Sequence, residues 1–210
     1  MEARVDGRLV RGDQTRRIVL RKAVDIASVD GLEGLSIGRL AKELELSKGG
    51  VFAHFGSKEE LQLATVRAAR RIYAEAVVEP AFAVEPGLGR VWALSEAWLD
   101  YSERRVFPGG CFFAKASHEY GARSGAVHDY LAEVNHEWIQ LVEQTITEAI
   151  TAGELAADAA QLAFELNAYY DSANLASLLR DDNGATYLQA RRSIRARLES
   201  AATPGTALPW

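Results

Sequence analysis

Two adjacent glycines follow a serine and a lysine in the first third of this 210-residue chain, where residues 47–50 read SKGG. Glycine inside a helix costs about 1 kcal/mol relative to alanine, so the pair needs a compensating advantage. Small residues at the start of a helix let its backbone approach bases and phosphates in a DNA major groove. Lys48 adds a positive charge there, and His54 and Lys58 flank the same surface. These residue types therefore predict contact with DNA.

Three short helices would position that segment. Apolar residues at helical spacing predict the first from Thr15 to about residue 30, and the second begins after Ser36. Ser47 caps a third, very short helix that ends at Gly56. The residues expected to face inward from this third helix are Val51, Phe52 and Phe55. Helix, tight turn and helix form a helix-turn-helix signature, for which the alternative is a pair of short helices in an ordinary bundle.

The sequence beyond this unit also predicts helices. Ser57 and Glu60 form a capping-box pattern, in which each side chain satisfies the other's backbone N–H, at the start of a long helix over 58–79. Further periodic stretches, separated by proline, glycine or Asp-Asn-Gly, cover residues 87–106, 110–122, 125–152, 158–181 and 185–200. Since no stretch alternates as a strand would, we predict an all-α fold with an N-terminal three-helix unit and a C-terminal helical bundle.

Composition excludes several classes of protein. Hydrophobic residues make up 48% of the chain and charged residues 25%, which supports a packed core and excludes general disorder. No run approaches the ~20 apolar residues of a membrane-spanning helix, and the start lacks the apolar stretch of a signal peptide. We therefore expect a cytoplasmic protein with no membrane partner. The net charge is +3 over residues 1–75 and −8 over residues 76–210, so the predicted DNA-contacting part is the basic one.

Four segments follow from these patterns. They are a flexible N-terminal arm (1–14), the helix-turn-helix domain (15–60), the larger helical domain (61–200) and a frayed C-terminus (201–210). Arg4, Arg8 and Arg11 could track the minor groove from the arm, but a solvated tail accounts for them better.

The segment LAKELELSKGGVFAHFGSKEEL, residues 40–61, resembles the DNA-binding signature of the TetR (TetR/AcrR-type) family of transcriptional regulators. The resemblance covers residues 15–60, and the GGCF at 109–112 is similar to a segment of one branch of the family. It implies a homodimer whose N-terminal unit reads a palindromic, double-stranded DNA operator. The C-terminal unit would dimerise and bind a small-molecule effector of unknown identity. Family members mostly repress transcription, and we expect no cofactor.

The resemblance also implies which residues touch DNA. They are Ser36 and Ser47 at phosphates, Lys48, Gly49 and Gly50 at base edges, and His54 and Lys58 along the DNA backbone. Phe52 is also placed among the DNA-contacting residues. Two positions depart from the family pattern, because Phe52 is usually tyrosine and Glu45 is commonly glycine. Phe52 cannot donate a hydrogen bond to phosphate, so we expect base reading to rest on Lys48, the glycine backbone and Arg39.

The effector site is expected among the aromatic residues of the second part. Ligand cavities are mostly apolar and carry a few placed polar groups. By that criterion the candidates are Trp98, Phe112, His118, Trp138, Asn167, Tyr170 and Asn174. The acidic balance of this half favours a cationic or neutral effector over an anionic one.

Neither a metal site nor a redox cysteine is expected. His118, His128 and His136 have acidic neighbours, but no two of them lie four residues apart on one helix as a compact zinc site requires. Cys111 is the sole cysteine, so it cannot form an intrachain disulfide. Its neighbours are Gly110 and Phe112, which favours a small buried apolar role over a reactive thiolate.

A dimer interface is predicted on the last two helices, where apolar residues exceed what a monomer needs. The stripe on the first of them comprises Leu162, Leu166, Tyr169, Tyr170, Ala173 and Ala176. The stripe on the second comprises Tyr187, Ile194 and Leu198. The resemblance implies that two copies of these helices form a four-helix interface.

The function predicted from these features is a ligand-responsive repressor that leaves its operator when an effector binds. An all-α enzyme is the alternative from another class, but no nucleophile motif, phosphate loop or carboxylate pair clusters in the sequence. A DNA-binding protein that needs no ligand is the second alternative, and the sequence leaves it open.

Overall fold

A computed structural model describes residues 7–180 and 184–210, and the described residues form α-helices with no strand among them. The all-α prediction is confirmed. The helices are α1 (Gly7–Asp30), α2 (Ile37–Glu43), α3 (Lys48–Phe55), α4 (Lys58–Tyr73), α5 (Glu79–Phe82), α6 (Leu88–Glu103), α7 (Phe112–Tyr120), α8 (Ala126–Thr151), α9 (Ala159–Leu179) and α10 (Ala185–Ala201). None of these helices is long and apolar enough to cross a membrane.

The α4 helix connects the two parts of the chain. It packs against α1 and α3 on the N-terminal side and against α8 on the other, while α6, α8, α9 and α10 pack together as a bundle. Leu61 and Val66 on this helix are fully buried in a core that runs continuously through both parts. Movement of bundle helices can therefore reach the N-terminal unit through direct packing.

The N-terminal helix is longer than predicted. It begins at Gly7, whereas the sequence pattern placed its start at Thr15 and left 1–14 as a flexible arm. Residues 7–14 contain no proline, and extending an established helix by a turn or two costs little. Arg4 lies outside the described residues, whereas the backbone at Arg8 and Arg11 belongs to α1.

The long helix predicted over 58–79 is interrupted by a wider turn. The α4 helix ends at Tyr73, a π-helical turn spans Ala74–Val78, and α5 follows directly. Pro80 lies in α5, where it has no N–H to donate to the preceding turn. A π-helical turn is a common way to absorb such a break without ending the helix.

The C-terminal segment was predicted to be frayed, but it is held by contacts with the rest of the chain. The indole of Trp210 packs edge-on against Trp92, with ring centroids 5.1 Å apart, and its Nε1 donates to Glu199 at 2.9 Å. The backbone N–H of Thr203 donates to the carbonyl of Glu154 at 3.0 Å. Contacts distant in sequence hold this segment, so helical periodicity did not reveal them.

Candidate DNA interface and ligand cavity

Serine side chains start both helices of the helix-turn-helix. Ser36 Oγ accepts from the N–H of Arg39 at 3.1 Å, and Ser47 Oγ accepts from the N–H of Gly50 at 3.0 Å. Ser57 caps α4 in the same way, but its own N–H donates to the Phe55 carbonyl, so only half of the predicted capping box forms. Each of these hydroxyls keeps its own proton for an outside acceptor.

Gly49 has no role within the fold. A Cβ atom built there would find no heavy atom within 4 Å, and the backbone is helical, so alanine would fit. At Gly50 a Cβ would lie 3.0 Å from Ser47 Oγ, which makes that glycine part of the cap. The helical cost of Gly49 therefore has no intramolecular compensation, and its exposed backbone is open to an external partner.

Phe52 points outward, contrary to the prediction that it faces the core. Its side chain is 53% exposed, whereas Val51 and Phe55 are buried. Val51 and Phe55 are four residues apart and share one face of α3, while Phe52 lies about 100° further around the helix. The exposed face of α3 thus carries Lys48, Gly49 and Phe52, and His54 is partly buried beside it.

The turn between α2 and α3 contains a residue in the left-handed region. Glu45 has φ of +55° and is exposed. This conformation suits glycine, which has no Cβ to clash with the following carbonyl. The sequence departure at this position therefore carries a backbone cost.

Two cations predicted to contact DNA are held by carboxylates of this chain. The Arg39 guanidinium bonds Asp30 and Glu43, and these hydrogen bonds raise its pKa further. The Lys58 ammonium lies 2.7 Å from Glu33 Oε2. Lys48 has no carboxylate within ion-pair distance among the described residues, and its side chain lies over Gly38 of α2. Of these three cations, Lys48 is therefore the one available to a phosphate or base.

Glu33 joins the helix-turn-helix to the bundle. Its carboxylate accepts from Lys58 and from the hydroxyl of Tyr120 at 2.8 Å, and these two bonds lower its pKa to about 2. Next to it, the Glu119 carboxylate accepts from the N–H of Leu32 at 2.7 Å and from the N–H of Glu33 at 2.8 Å. The end of α7 thereby holds the loop that leads into α2.

Gly31 makes this attachment possible. Its φ is +81°, and a Cβ built there would lie 2.5 Å from Glu119 Oε2. Any other residue would push the Glu119 carboxylate away from the backbone N–H groups that it accepts from.

A cavity of about 410 Å³ lies inside the bundle, between α4 and α6 to α9. Five of the predicted ligand residues line it: Trp98, His118, Trp138, Asn167 and Tyr170. Trp138 Nε1 donates to Asn167 Oδ1 at 2.6 Å, and His118 Nδ1 donates to the Ala114 carbonyl. The Nε2 atom of His118 is thus the ring nitrogen left for a ligand.

Two predicted ligand residues have other roles. Phe112 is buried against Phe107 and Phe113 and is not part of the cavity wall. Asn174 Oδ1 accepts from the N–H of Cys111 at 2.8 Å and from Ser102, so its amide fixes the α6–α7 loop. A buried amide is as well suited to bonding a loop backbone as to bonding a ligand, and the sequence does not distinguish the two.

Several wall residues were not predicted. Tyr73, on the connecting helix α4, packs edge-on against Phe113 and Trp138. Cys111 is buried as expected and also lines the cavity, and its burial raises the pKa of the thiol. Desolvation also raises the pKa of Asp171 at the wall. Tyr73 carries no local sequence signal for this role, because the space beside it is created by helices that are distant in sequence.

The predicted dimer stripe is core within a single chain. Leu162, Leu166, Ala173, Tyr187, Ile194 and Leu198 are all buried, and Tyr170 belongs to the cavity wall, so these residues cannot meet a second copy. Of the predicted set, Tyr169 and Ala176 are partly exposed. The exposed apolar residues on these two helices are instead Phe164, Leu175, Leu178, Leu179 and Leu188.

Two family models match the sequence. The one described as "Tetracyclin repressor-like, C-terminal domain" matches residues 87–194, which is about half of the chain. The one described as "Bacterial regulatory proteins, tetR family" matches residues 19–65. The chain belongs to the TetR family. This TetR-family protein is a transcriptional regulator and not an enzyme.

Comparisons with individual proteins support the family assignment. The TetR-family regulator is 26% identical over 145 residues to the HTH-type transcriptional regulator SrpR of Pseudomonas putida, a match that covers 68% of this chain and 64% of SrpR. A TetR transcriptional regulator from Chloroflexus aurantiacus has the same fold, with a TM-score of 0.83, 23% identity, and 91% of this chain and 98% of that chain covered. AibR, solved with isovaleryl coenzyme A and operator DNA, aligns with a TM-score of 0.68 and 18% identity over 85% of this chain and 94% of its own.

Proposed function

We propose that this TetR-family regulator is a homodimeric repressor that leaves a palindromic operator when a small apolar effector enters the bundle cavity. The proposal rests on α7, a single helix that contacts both the cavity and the helix-turn-helix. Its first turns line the cavity through Phe113, Ser117 and His118, and its last residues hold the α1–α2 loop. A ligand that displaces α7 would therefore shift the helix-turn-helix.

The α3 helix would enter the DNA major groove. Lys48 has no ion-pair partner among the described side chains, and the backbone of Gly49 and Gly50 is exposed, so this end of α3 can approach base edges and phosphates. The free hydroxyl protons of Ser36 and Ser47 would bond phosphates. Arg39 and Lys58 would contribute only if DNA displaced the carboxylates that now hold them.

The second copy would dock on the exposed apolar face of α9 and α10. Phe164, Leu175 and Leu179 recur at spacings of 11 and four residues on α9, and Leu188 extends the face on α10. Exposed large apolar side chains on one helix face are costly in water, and covering them with a second copy removes that cost. Such a dimer would present two α3 helices to major grooves about 34 Å apart.

The effector would be an apolar, aromatic-compatible molecule that is neutral or cationic. Aromatic rings, including Tyr73, Trp98 and Trp138, form much of the wall. The carboxyl of Asp171 has no ion-pair partner among the described residues, whereas Arg70 at the rim is already paired with Glu137 at 2.6 Å. AibR, a neighbour in fold, was solved with both an acyl coenzyme A and operator DNA, so this fold can hold both kinds of partner.

Binding-site selection from a random-sequence duplex library tests the DNA part of this proposal. The proposal expects enrichment of an inverted repeat whose binding weakens as salt rises. A thermal-shift screen of apolar compounds, followed by mobility shift on the enriched site, tests the effector part. An enriched site that no stabilising compound releases would favour a DNA-binding protein without ligand control, and no enriched site would refute the proposal.

A further inference from the structure

A second cavity, unlike the first, is lined by arginines. It measures about 380 Å³ and lies between α1 and α4, outside the bundle. We name it the arginine cleft, and its lining residues are Arg16, Arg17, Leu20, Ala64, Arg67, Ala68 and Arg71. More than half of its lining residues therefore carry a permanent positive charge.

These charges are poorly compensated. Among the side chains that the structure describes, no carboxylate lies within 4.0 Å of the guanidinium of Arg16, Arg17 or Arg67. Arg71 faces Glu75 at 3.7 Å, but both side chains are more than half exposed, so the pair is weak. Four like charges around one cleft repel one another, and an anion between them would relieve that repulsion.

Two of the guanidinium groups are positioned by aromatic rings. Arg16 lies over Phe55 with its Cζ atom 5.1 Å from the ring centroid, and Arg67 lies over Tyr130 at 5.6 Å. An aromatic face attracts a guanidinium without neutralising it, and leaves the in-plane N–H donors free. The donors are thereby partly pre-organised for an anion.

The shape of the cleft comes from small residues on α4. Ala64 and Ala68 are buried, lie four residues apart on α4 and form the floor of the cleft. Arg67 and Arg71, also four residues apart, line its edge. The cleft is therefore concave, and its volume lies within the range of about 300–1,000 Å³ that is usual for small-molecule sites.

We propose that the arginine cleft binds a small phosphate-bearing anion that bridges α1 and α4. Guanidinium groups bond phosphate oxygens in pairs, which gives both strength and geometric selectivity. Arg67 lies about 14 Å along α4 from Lys58, the first residue of that helix beside α3, and the arginines surround a floor formed by the small residues Ala64 and Ala68. These features favour a compact anion over the backbone of the DNA that α3 would contact. The bound anion would clamp the helix-turn-helix to the connecting helix, independently of the bundle cavity.

Calorimetric titration of the full chain with inorganic pyrophosphate, at constant ionic strength, tests this proposal. Saturable binding of one pyrophosphate per chain is expected, together with a rise in Tm. The Arg17→Ala/Arg67→Ala variant should bind at least about tenfold more weakly, because it loses charge-assisted bonds. Arg67→Lys keeps the charge but loses the paired geometry, so it should also weaken binding. Arg104→Ala, which removes an equally exposed arginine elsewhere, should leave the affinity unchanged.

Three results would overturn the proposal. The first is the absence of saturable pyrophosphate binding, and the second is an equal loss of pyrophosphate affinity in Arg104→Ala. The third is an Arg17→Ala/Arg67→Ala variant that binds pyrophosphate normally but binds duplex DNA more weakly and with a smaller salt dependence. The last result would assign the arginines to DNA phosphates. Circular dichroism and thermal melts of each variant separate loss of binding from loss of folding.

Discussion

The hydroxyl of Tyr120 donates a hydrogen bond to Oε1 of Glu33 across 2.8 Å, joining the last residue of α7 to the loop before α2. Together with the Glu119 carboxylate on the N–H groups of Leu32 and Glu33, this bond is part of a polar attachment between the cavity-lining helix and the helix-turn-helix. Burial, and then the bond to Glu33, raise the pKa of Tyr120, so its proton stays available at all physiological pH values. In the proposed mechanism, an effector that moves α7 displaces the helix-turn-helix through this attachment.

Tyr120→Phe should weaken the attachment without disturbing the packing of the ring. The Glu33 carboxylate is partly exposed and keeps Lys58, so the free energy of unfolding should fall by only about 1 kcal/mol. Urea denaturation measures this change. Any effector found by screening should then shift DNA affinity less in this variant than in the wild type. An unchanged effector response would show that the signal travels by packing alone.

The stability contributed by Glu33 should depend on pH in a defined window. Its pKa is lowered from 4.5 to about 2 in the folded chain, so the contribution is present in full above the unfolded value and is lost as pH falls towards 2. The difference in Tm between wild type and Glu33→Gln should thus be constant near neutral pH and shrink below about pH 5. A difference that grew on acidification would contradict the assignment.

Glu45→Gly should stabilise the protein. The left-handed conformation costs a non-glycine residue about 1–2 kcal/mol, and glycine removes this cost. Part of the benefit is offset because glycine also increases the conformational entropy of the unfolded chain. The expected net increase in the free energy of unfolding is about 0.5–1 kcal/mol. Glu59→Gly, which places glycine in the regular first turn of α4, is the control and should destabilise. A loss of stability in Glu45→Gly would show that the Glu45 side chain makes a compensating interaction.

Leu179→Glu should disrupt self-association. Leu179 is 79% exposed in the single chain, so a charge there is tolerated by the monomer fold but not within an apolar interface. Equilibrium sedimentation should give a dimer for the wild type and a monomer for the variant. Leu208→Glu, at an exposed leucine in the C-terminal segment, should remain dimeric. A monomeric wild type at micromolar concentration would refute the proposed interface.

The helix-turn-helix could be predicted from sequence because its signals are local. Ser47 caps the helix that it precedes, and Gly56 ends it with φ of +73°, both within one turn of the residues that they affect. The direction of Phe52 was wrong for a related reason. Hydrophobicity alone predicts burial of Phe52, whereas the spacing of Val51 and Phe55 defines the inner face of α3 and leaves Phe52 outside it.

The exposed face of α9 could not be predicted, because that helix is apolar on more than one side. Leu162 and Leu166 are buried while Phe164, between them in sequence, is 70% exposed, and hydrophobicity alone does not separate the two faces. The neighbouring helices decide which side is covered. The cavity was partly predictable because large aromatic residues concentrate in the bundle, but its volume depends on how helices distant in sequence pack together.

If the exposed start of α3 reads DNA, Gly49→Ala should weaken operator binding without weakening the fold. Alanine has room at this position and favours helix, so the free energy of unfolding of the variant should be higher by about 1 kcal/mol. In a competition mobility shift on the selected operator it should nevertheless bind more weakly than the wild type, because the added methyl group blocks close approach. Gly89→Ala, on α6, should leave DNA binding unchanged. Gly49→Ala with wild-type affinity would contradict the claim that DNA approaches this backbone.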